Sequence, residues 1–176
     1  MQAILSSPLK DNGDTNWYAI YTRSRYEKKV AEELVEKNIT CFLPLREVMS
    51  RWKDRRKLMQ WPLFPGYVFI DIDLRDRLKV LQTPGVVRIV GFEKEPVLIP
   101  REQIYAVMML VQEKIKGDPC PYLREGQRVE VIRGPLKGVM GILLKKRVNF
   151  RLVLSVDLIM KSVSLEIDAA DVRAIG

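Results

Sequence analysis

Apolar positions in the first hundred or so residues switch repeatedly between period two and helical spacing, whereas the last fifty keep to period two. NWYAIYT at 16–22 is aromatic and β-leaning and predicts a strand. Tyr26, Val30, Ala31, Leu34 and Val35 then recur at helical spacing. Ser24 and Glu27 stand three apart, as in a capping box, so a helix is expected from there to about Asn38. TCFLPLREV at 40–48 returns to a strand, RWKDRRK at 51–57 reads as a charged connection, and 61–73 reads as one long strand. A short helix over 74–81 stops at Pro84-Gly85. VVRIVGF at 86–92 and the brief segment 97–99 are strands. Pro100 opens a second amphipathic helix with Ile104, Val107, Met108, Val111 and Ile115 on one face.

Residues 1–15 are polar and read as a flexible leader. The Gly- and Pro-rich KGDPCPY at 116–122 separates two units, with the linker placed at 118–123. Beyond it, Val129 and Val131, Ile142 and Leu144, Leu152 to Leu158, and Val163, Leu165 and Ile167 alternate with other residues. This predicts a small barrel of about four or five short strands. The fold class is therefore α+β: helices packed on a mainly antiparallel sheet over 16–117, then a β-barrel over 124–176.

The densest motif is PLFPGYVFI at 62–70. In an ideal strand Tyr67 and Phe69 point one way and Val68 and Ile70 the other. Val68 and Ile70 are natural core residues under the helices. Tyr67 and Phe69, with Phe64 before the Pro65-Gly66 bend and Tyr21 on the first strand, then form an aromatic patch on the opposite face. That patch is either an interaction surface or simply the underside of another helix, and the pattern alone leaves the two open.

Composition narrows the chemistry. The chain has 176 residues, 47% of them hydrophobic, and a net charge of +8, which favours work near polyanions. Histidine is absent, which removes the commonest general base and metal ligand together. Cys41 and Cys120 are unclustered. Neither catalysis, a metal nor a cofactor is expected. No apolar run approaches a membrane span and no signal-peptide pattern opens the chain, so a cytoplasmic protein without membrane contact is expected. RWKDRRK carries five basic residues and Trp52; it is either a nucleic-acid contact or a solvated hairpin tip.

The ordered set WYAIYT, the EKKVAEEL helix, FLP at 42–44, PLFPGYVFIDID, TPGVVRIVGF and VLIP, followed by RGPLKGVMG, RLVLSVDL and SVSLEID, resembles the NusG family over residues 16–176. The resemblance implies an NGN domain followed by a KOW domain, in a non-enzymatic transcription elongation and antitermination factor. It implies that Tyr21, Phe64, Pro65, Tyr67, Phe69 and Ile104 bind RNA polymerase at the clamp helices of its largest subunit. Holding the clamp closed would suppress pausing. Arg23, Arg25 and Lys29 match, in location and charge, positions by which the specialised relative RfaH touches non-template DNA. Arg133, Gly134, Lys137 and Gly138 form the KOW turn, in which the glycines serve the backbone and the two basic residues contact a partner or merely solvate the turn.

Two branches of the family fit. The housekeeping factor, whose KOW domain meets a ribosomal protein or termination factor Rho, carries Phe-Gly-Arg where this chain has Ile159, Met160 and Lys161. That departure favours an operon-specific, RfaH-like paralogue. The polymerase-bridging element of RfaH is replaced here by RDRLK at 75–79. From a different class, a KOW-type RNA-binding module also fits.

Overall fold

Alternation at 16–22 becomes a strand because every second side chain there can be buried on each side of a sheet. The computed structural model describes residues 2–5, 15–52, 55–93, 95–120, 126–146 and 149–175. Its first unit is a sheet in the order β1-β3-β5-β2-β6. These strands are β1 (Gln2–Leu5), β2 (Asn16–Thr22), β3 (Thr40–Trp52), β5 (Tyr67–Ile72) and β6 (Val86–Ile89), with β4 (Arg55–Pro62) extending the far half of β3. All pairings are antiparallel. A two-residue hairpin, β7 (Gly91–Phe92) and β8 (Glu95–Pro96), follows β6.

Two helical layers cover the sheet. Helix α1 (Glu27–Glu36) and the short α2 (Arg77–Leu81) lie on one face, where Val30, Ala31, Leu34 and Val80 pack with Tyr18, Ile20, Val68 and Ile70. Helix α3 (Arg101–Gln112) lies on the other, burying Ile104, Val107, Met108, Leu110 and Val111 with Trp17, Ala19, Phe42 and Phe69. The second unit is a sheet in the order β14-β10-β11-β12-β13-β9. Its strands are β9 (Asp118–Cys120), β10 (Gln127–Val131), β11 (Met140–Lys146), β12 (Asn149–Val156), β13 (Lys161–Ile167) and β14 (Val172–Ala174). Val129, Val131, Leu152, Leu154, Val156, Val163 and Leu165 form its interior.

Five expectations are corrected. Within the leader, Gln2–Leu5 pairs with Phe42–Leu45 as an edge strand, because Ala3 and Ile4 can pack against the two cores. The capping box does not form. Arg25 adopts a left-handed φ of 66°, and α1 begins at Glu27 with Tyr26 as its cap. The long strand 61–73 breaks at Phe64–Gly66, where the Tyr67 N–H donates to the Phe64 carbonyl at 3.1 Å. The segment 97–99 runs outside the strands, although the Ile99 N–H still reaches the Trp17 carbonyl at 2.7 Å. Part of the linker is also strand: Asp118–Cys120 pairs with Ser162–Ser164, adding a sixth strand to the second sheet.

Candidate interaction surface

Odd-numbered residues of β2 and β5 share the α3 face, and the register sets Ala19 opposite Phe69 and Tyr21 opposite Tyr67. An α-helix of twelve residues covers about 18 Å, less than the length of this face. Under α3, Phe69 is wholly buried, stacked on Phe42 at 6.1 Å and edge-on to Phe64 at 5.8 Å. Phe64 and Ile104 are buried as well. The expected open aromatic patch is therefore smaller than the sequence implied: Phe64, Phe69 and Ile104 are interior residues here. Beyond the helix, Tyr21 and Tyr67 stay accessible, with ring centroids 5.5 Å apart and tilted by 59°. The Arg88 guanidinium lies 6.0 Å from the Tyr21 ring centre, and Pro65 is exposed beside them.

The loop carrying Pro65 is held from α1. Glu27, buried, accepts a hydrogen bond from the Gly66 N–H at 2.8 Å, while the Gly66 carbonyl accepts from the Thr22 N–H at 2.9 Å. Gly66 has φ +84°, and a Cβ there would stand 3.1 Å from the Tyr21 ring. The turn therefore needs glycine both for its backbone angle and for the close approach of the tyrosine. Arg23, Arg25 and Lys29 are exposed at the same strand-to-helix junction that follows Tyr21. The Arg23 N–H is fixed to the Gly85 carbonyl at 2.8 Å, and Lys29 faces Glu33 at 4.0 Å. In RDRLK, Arg75, Asp76 and Lys79 are paired locally. The Arg75 backbone and side chain both donate to Asp73, and these bonds hold the Asp73 carboxyl below its ordinary range, while Lys79 pairs with Asp76 at 2.7 Å.

The second unit sits against α3. Gln103 bonds to Asp157 in the turn after β12, and Arg46 on β3 lies 3.7 Å from Asp118 on β9, whose other oxygen lies 3.8 Å from Arg151. Between the units lies a cavity of about 950 Å³ lined by Trp17, Ile104, Tyr105, Val139, Met140 and Leu154 among others. In the turn after β10, Gly134 (φ 79°) and Gly138 (φ 88°) take left-handed angles with open space around them, so backbone geometry alone asks for glycine. Arg133 and Lys137 are exposed on that turn, and Leu136 anchors it. At 159–161, Ile159 is buried, Met160 is exposed in the left-handed conformation (φ 49°) and Lys161 is exposed.

Several contributors escaped sequence reasoning. Glu27 looked like a capping residue, yet its carboxylate serves a turn 39 residues away. Arg88 joins the tyrosines only through the pairing of β6 with β2. Phe92, 72% exposed on the β7–β8 hairpin, is an apolar outlier that a strand reading had placed within a sheet. The side chains of 51–57 lie outside the described residues. Among the described residues, no three His, Cys, Asp or Glu gather as a metal site, and no helix is long and apolar enough to cross a membrane.

Residues 15–108 match the family model described as "Transcription termination factor nusG". The transcription termination/antitermination protein NusG of Thermus thermophilus is 33% identical over 146 residues, covering 71% of this chain and 79% of the relative. That of Borreliella burgdorferi is 25% identical over 183 residues, covering 90% of this chain and 98% of the relative. Among solved structures, "Domain interaction in Thermotoga maritima NusG" aligns with a TM-score of 0.54 at 20% identity, over 92% of this chain and 98% of that one, a likeness of fold.

Proposed function

The chain belongs to the NusG family of transcription factors, and we propose that it binds RNA polymerase during elongation, suppresses pausing and serves particular operons. The observation that carries the polymerase contact is the tyrosine pair of exposed Tyr21 and half-buried Tyr67, beside a turn held by Glu27 and Gly66. Tyrosines are suited to such an anchor, being large, rigid and polar at one tip, and interface energy concentrates in few such residues. Clamp helices of the polymerase's largest subunit are the proposed seat. A factor that binds better when the clamp is closed shifts the enzyme away from its swivelled, paused state without doing any chemistry.

Ile104 enters this reading as a second-stage contact. It lines the cavity between α3 and the barrel, so its use requires the barrel to move aside. Arg23, Arg25 and Lys29 then face exposed DNA phosphates on the complex, a contact that positions the factor without reading bases. The barrel is assigned to a second partner, a ribosomal protein or Rho. Assignment to the operon-specific branch rests on Met160, where a bulky residue holds a left-handed angle at the position of the housekeeping glycine.

The test is a purified elongation assay with the Tyr21→Ala, Tyr67→Ala double variant. Polymerase affinity is expected to fall about 30-fold, a loss of roughly 2 kcal/mol, with the fold retained. Normal affinity and normal pause suppression in the folded variant would remove the tyrosine pair from the interface. In the same assay with Rho present, wild type is expected to lengthen transcripts; shortened ones place it in the housekeeping branch.

A further inference from the structure

The two units do not close completely on one another. The cavity between α3 and the barrel has a volume of about 950 Å³, near the top of the range of roughly 300–1,000 Å³ in which small-molecule pockets fall. Its deep wall is apolar and comes from both units: Trp17, Ile104 and Ala106 on one side, Val139 and Leu154 on the other, all of them buried. Tyr105 and Met140, half or nearly half exposed, stand toward solvent. Protein interiors normally pack with few voids larger than a water molecule. A seam of this size between two cores therefore forgoes contacts that its lining could make. Interfaces between domains are also where ligand pockets are found preferentially.

Four charged side chains belong to the lining: Arg101, Glu102, Arg128 and Asp157. Three of them are answered within the fold. Arg101 donates to the Thr15 carbonyl at 2.7 Å, and Asp157 is clasped by Gln103. Glu102 sits in the first turn of α3, where the helix end itself favours a negative charge. Arg128 is the exception. It is exposed on β10, its backbone carbonyl fixed by the Ile175 N–H at 3.0 Å, and its guanidinium has no ion pair among the described residues. An apolar chamber with one unanswered guanidinium on its lining is the complement of an apolar molecule with an acidic head.

We propose that this cavity binds a small amphipathic carboxylate of the medium-chain fatty-acid type, its apolar body against Trp17, Ile104 and Leu154 and its carboxylate on Arg128. Arginine suits that head because its planar fork meets both carboxylate oxygens. Since the two walls belong to different units, the ligand fits only the docked arrangement and stabilises it by mass action. One consequence rests on the proposed use of Ile104 at the clamp, which needs the barrel to move aside: the bound carboxylate holds the factor off polymerase.

The experiment begins without polymerase. Calorimetric titration of the full chain with dodecanoate, below its micelle concentration, is expected to show saturable binding. Arg128→Gln should weaken it about tenfold or more, the loss of one charge-assisted bond. Met140→Trp, which narrows the opening, should weaken it too; both residues are exposed, so the fold is kept. Dodecyltrimethylammonium, with the same chain and a cationic head, should bind more weakly than dodecanoate. Absence of saturable binding, unchanged affinity in Arg128→Gln, or equal binding of the cationic amphiphile overturns the site. Polymerase affinity is then measured with dodecanoate at about ten times its Kd. It is expected to fall about tenfold for wild type and at most about twofold for Arg128→Gln. Saturable binding that leaves polymerase affinity unchanged overturns the regulatory consequence. The tyrosine variant tests the clamp reading without any ligand, so the two failures are distinguishable.

Discussion

Gln103 and Asp157 clasp each other across the two units: the Gln103 Nε2 donates to Asp157 Oδ2 at 2.8 Å, and the Asp157 backbone N–H donates to Gln103 Oε1 at 3.0 Å. One partner is on α3, the helix that covers Phe69; the other opens the turn that carries Ile159, Met160 and Lys161. Both lie at the solvent edge of an apolar contact, where each bond contributes only about 1 kcal/mol net.

Removing this clasp should loosen the barrel without unfolding it. Gln103→Ala with Asp157→Ala is expected to shift the docking equilibrium about tenfold or more toward the open form, from two bonds of that size. Backbone ¹⁵N relaxation reads it directly, because a released barrel tumbles faster than the N-terminal unit. Equal tumbling of both units in the variant would show that the apolar contact alone holds them.

Glu27 is expected to matter through Gly66. Glu27→Ala leaves a backbone N–H of the Pro65-Gly66 turn without its acceptor and should cost about 1–3 kcal/mol. Glu27→Gln keeps an oxygen in place and should recover most of that loss. Urea unfolding of the three proteins decides it, and equal midpoints for the Ala and Gln variants would mean that the carboxylate is not what fixes the turn.

The two aromatics of β5 should separate cleanly in their effects. Phe69→Ala empties a site walled by Phe42, Phe64 and α3 and should cost about 3–5 kcal/mol of stability. Tyr67→Ala, at the uncovered end, should cost much less stability but weaken polymerase binding. Thermal melts and polymerase titrations of both variants test the split. Equal destabilisation by the two would mean that Tyr67 is part of the core.

Met160 carries backbone strain that glycine would relieve. A left-handed angle costs a side-chain-bearing residue about 1–2 kcal/mol, partly offset by the entropy that glycine loses on folding. Met160→Gly should therefore raise stability by roughly 0.5–1 kcal/mol, since an exposed methionine gives up little burial. On the operon-specific reading proposed above, the triple exchange Ile159→Phe, Met160→Gly, Lys161→Arg is expected to add stimulation of Rho. Transcript length at Rho-dependent sites is the readout, and no gain would mean that the Rho contact depends on more than these three positions.

Local regularities were legible in the chain because they are local in origin. Period two at 67–70 places Tyr67 and Phe69 on one face and Val68 and Ile70 on the other, as backbone pleating demands, and the structure has them so. The spacing of Ile104, Val107, Met108 and Val111 likewise marked the buried side of α3. What alternation cannot carry is coverage. Phe69 is wholly buried and Tyr67 only half so because Phe42, Phe64 and residues of α3 pack around Phe69, a fact of tertiary placement. Glu27 had two acceptable partners, its own helix end and the Gly66 N–H, and only the approach of the Pro65-Gly66 turn decided between them. The docking of Asp157 on Gln103 joins residues 54 apart, and no periodicity within either segment encodes such a pairing.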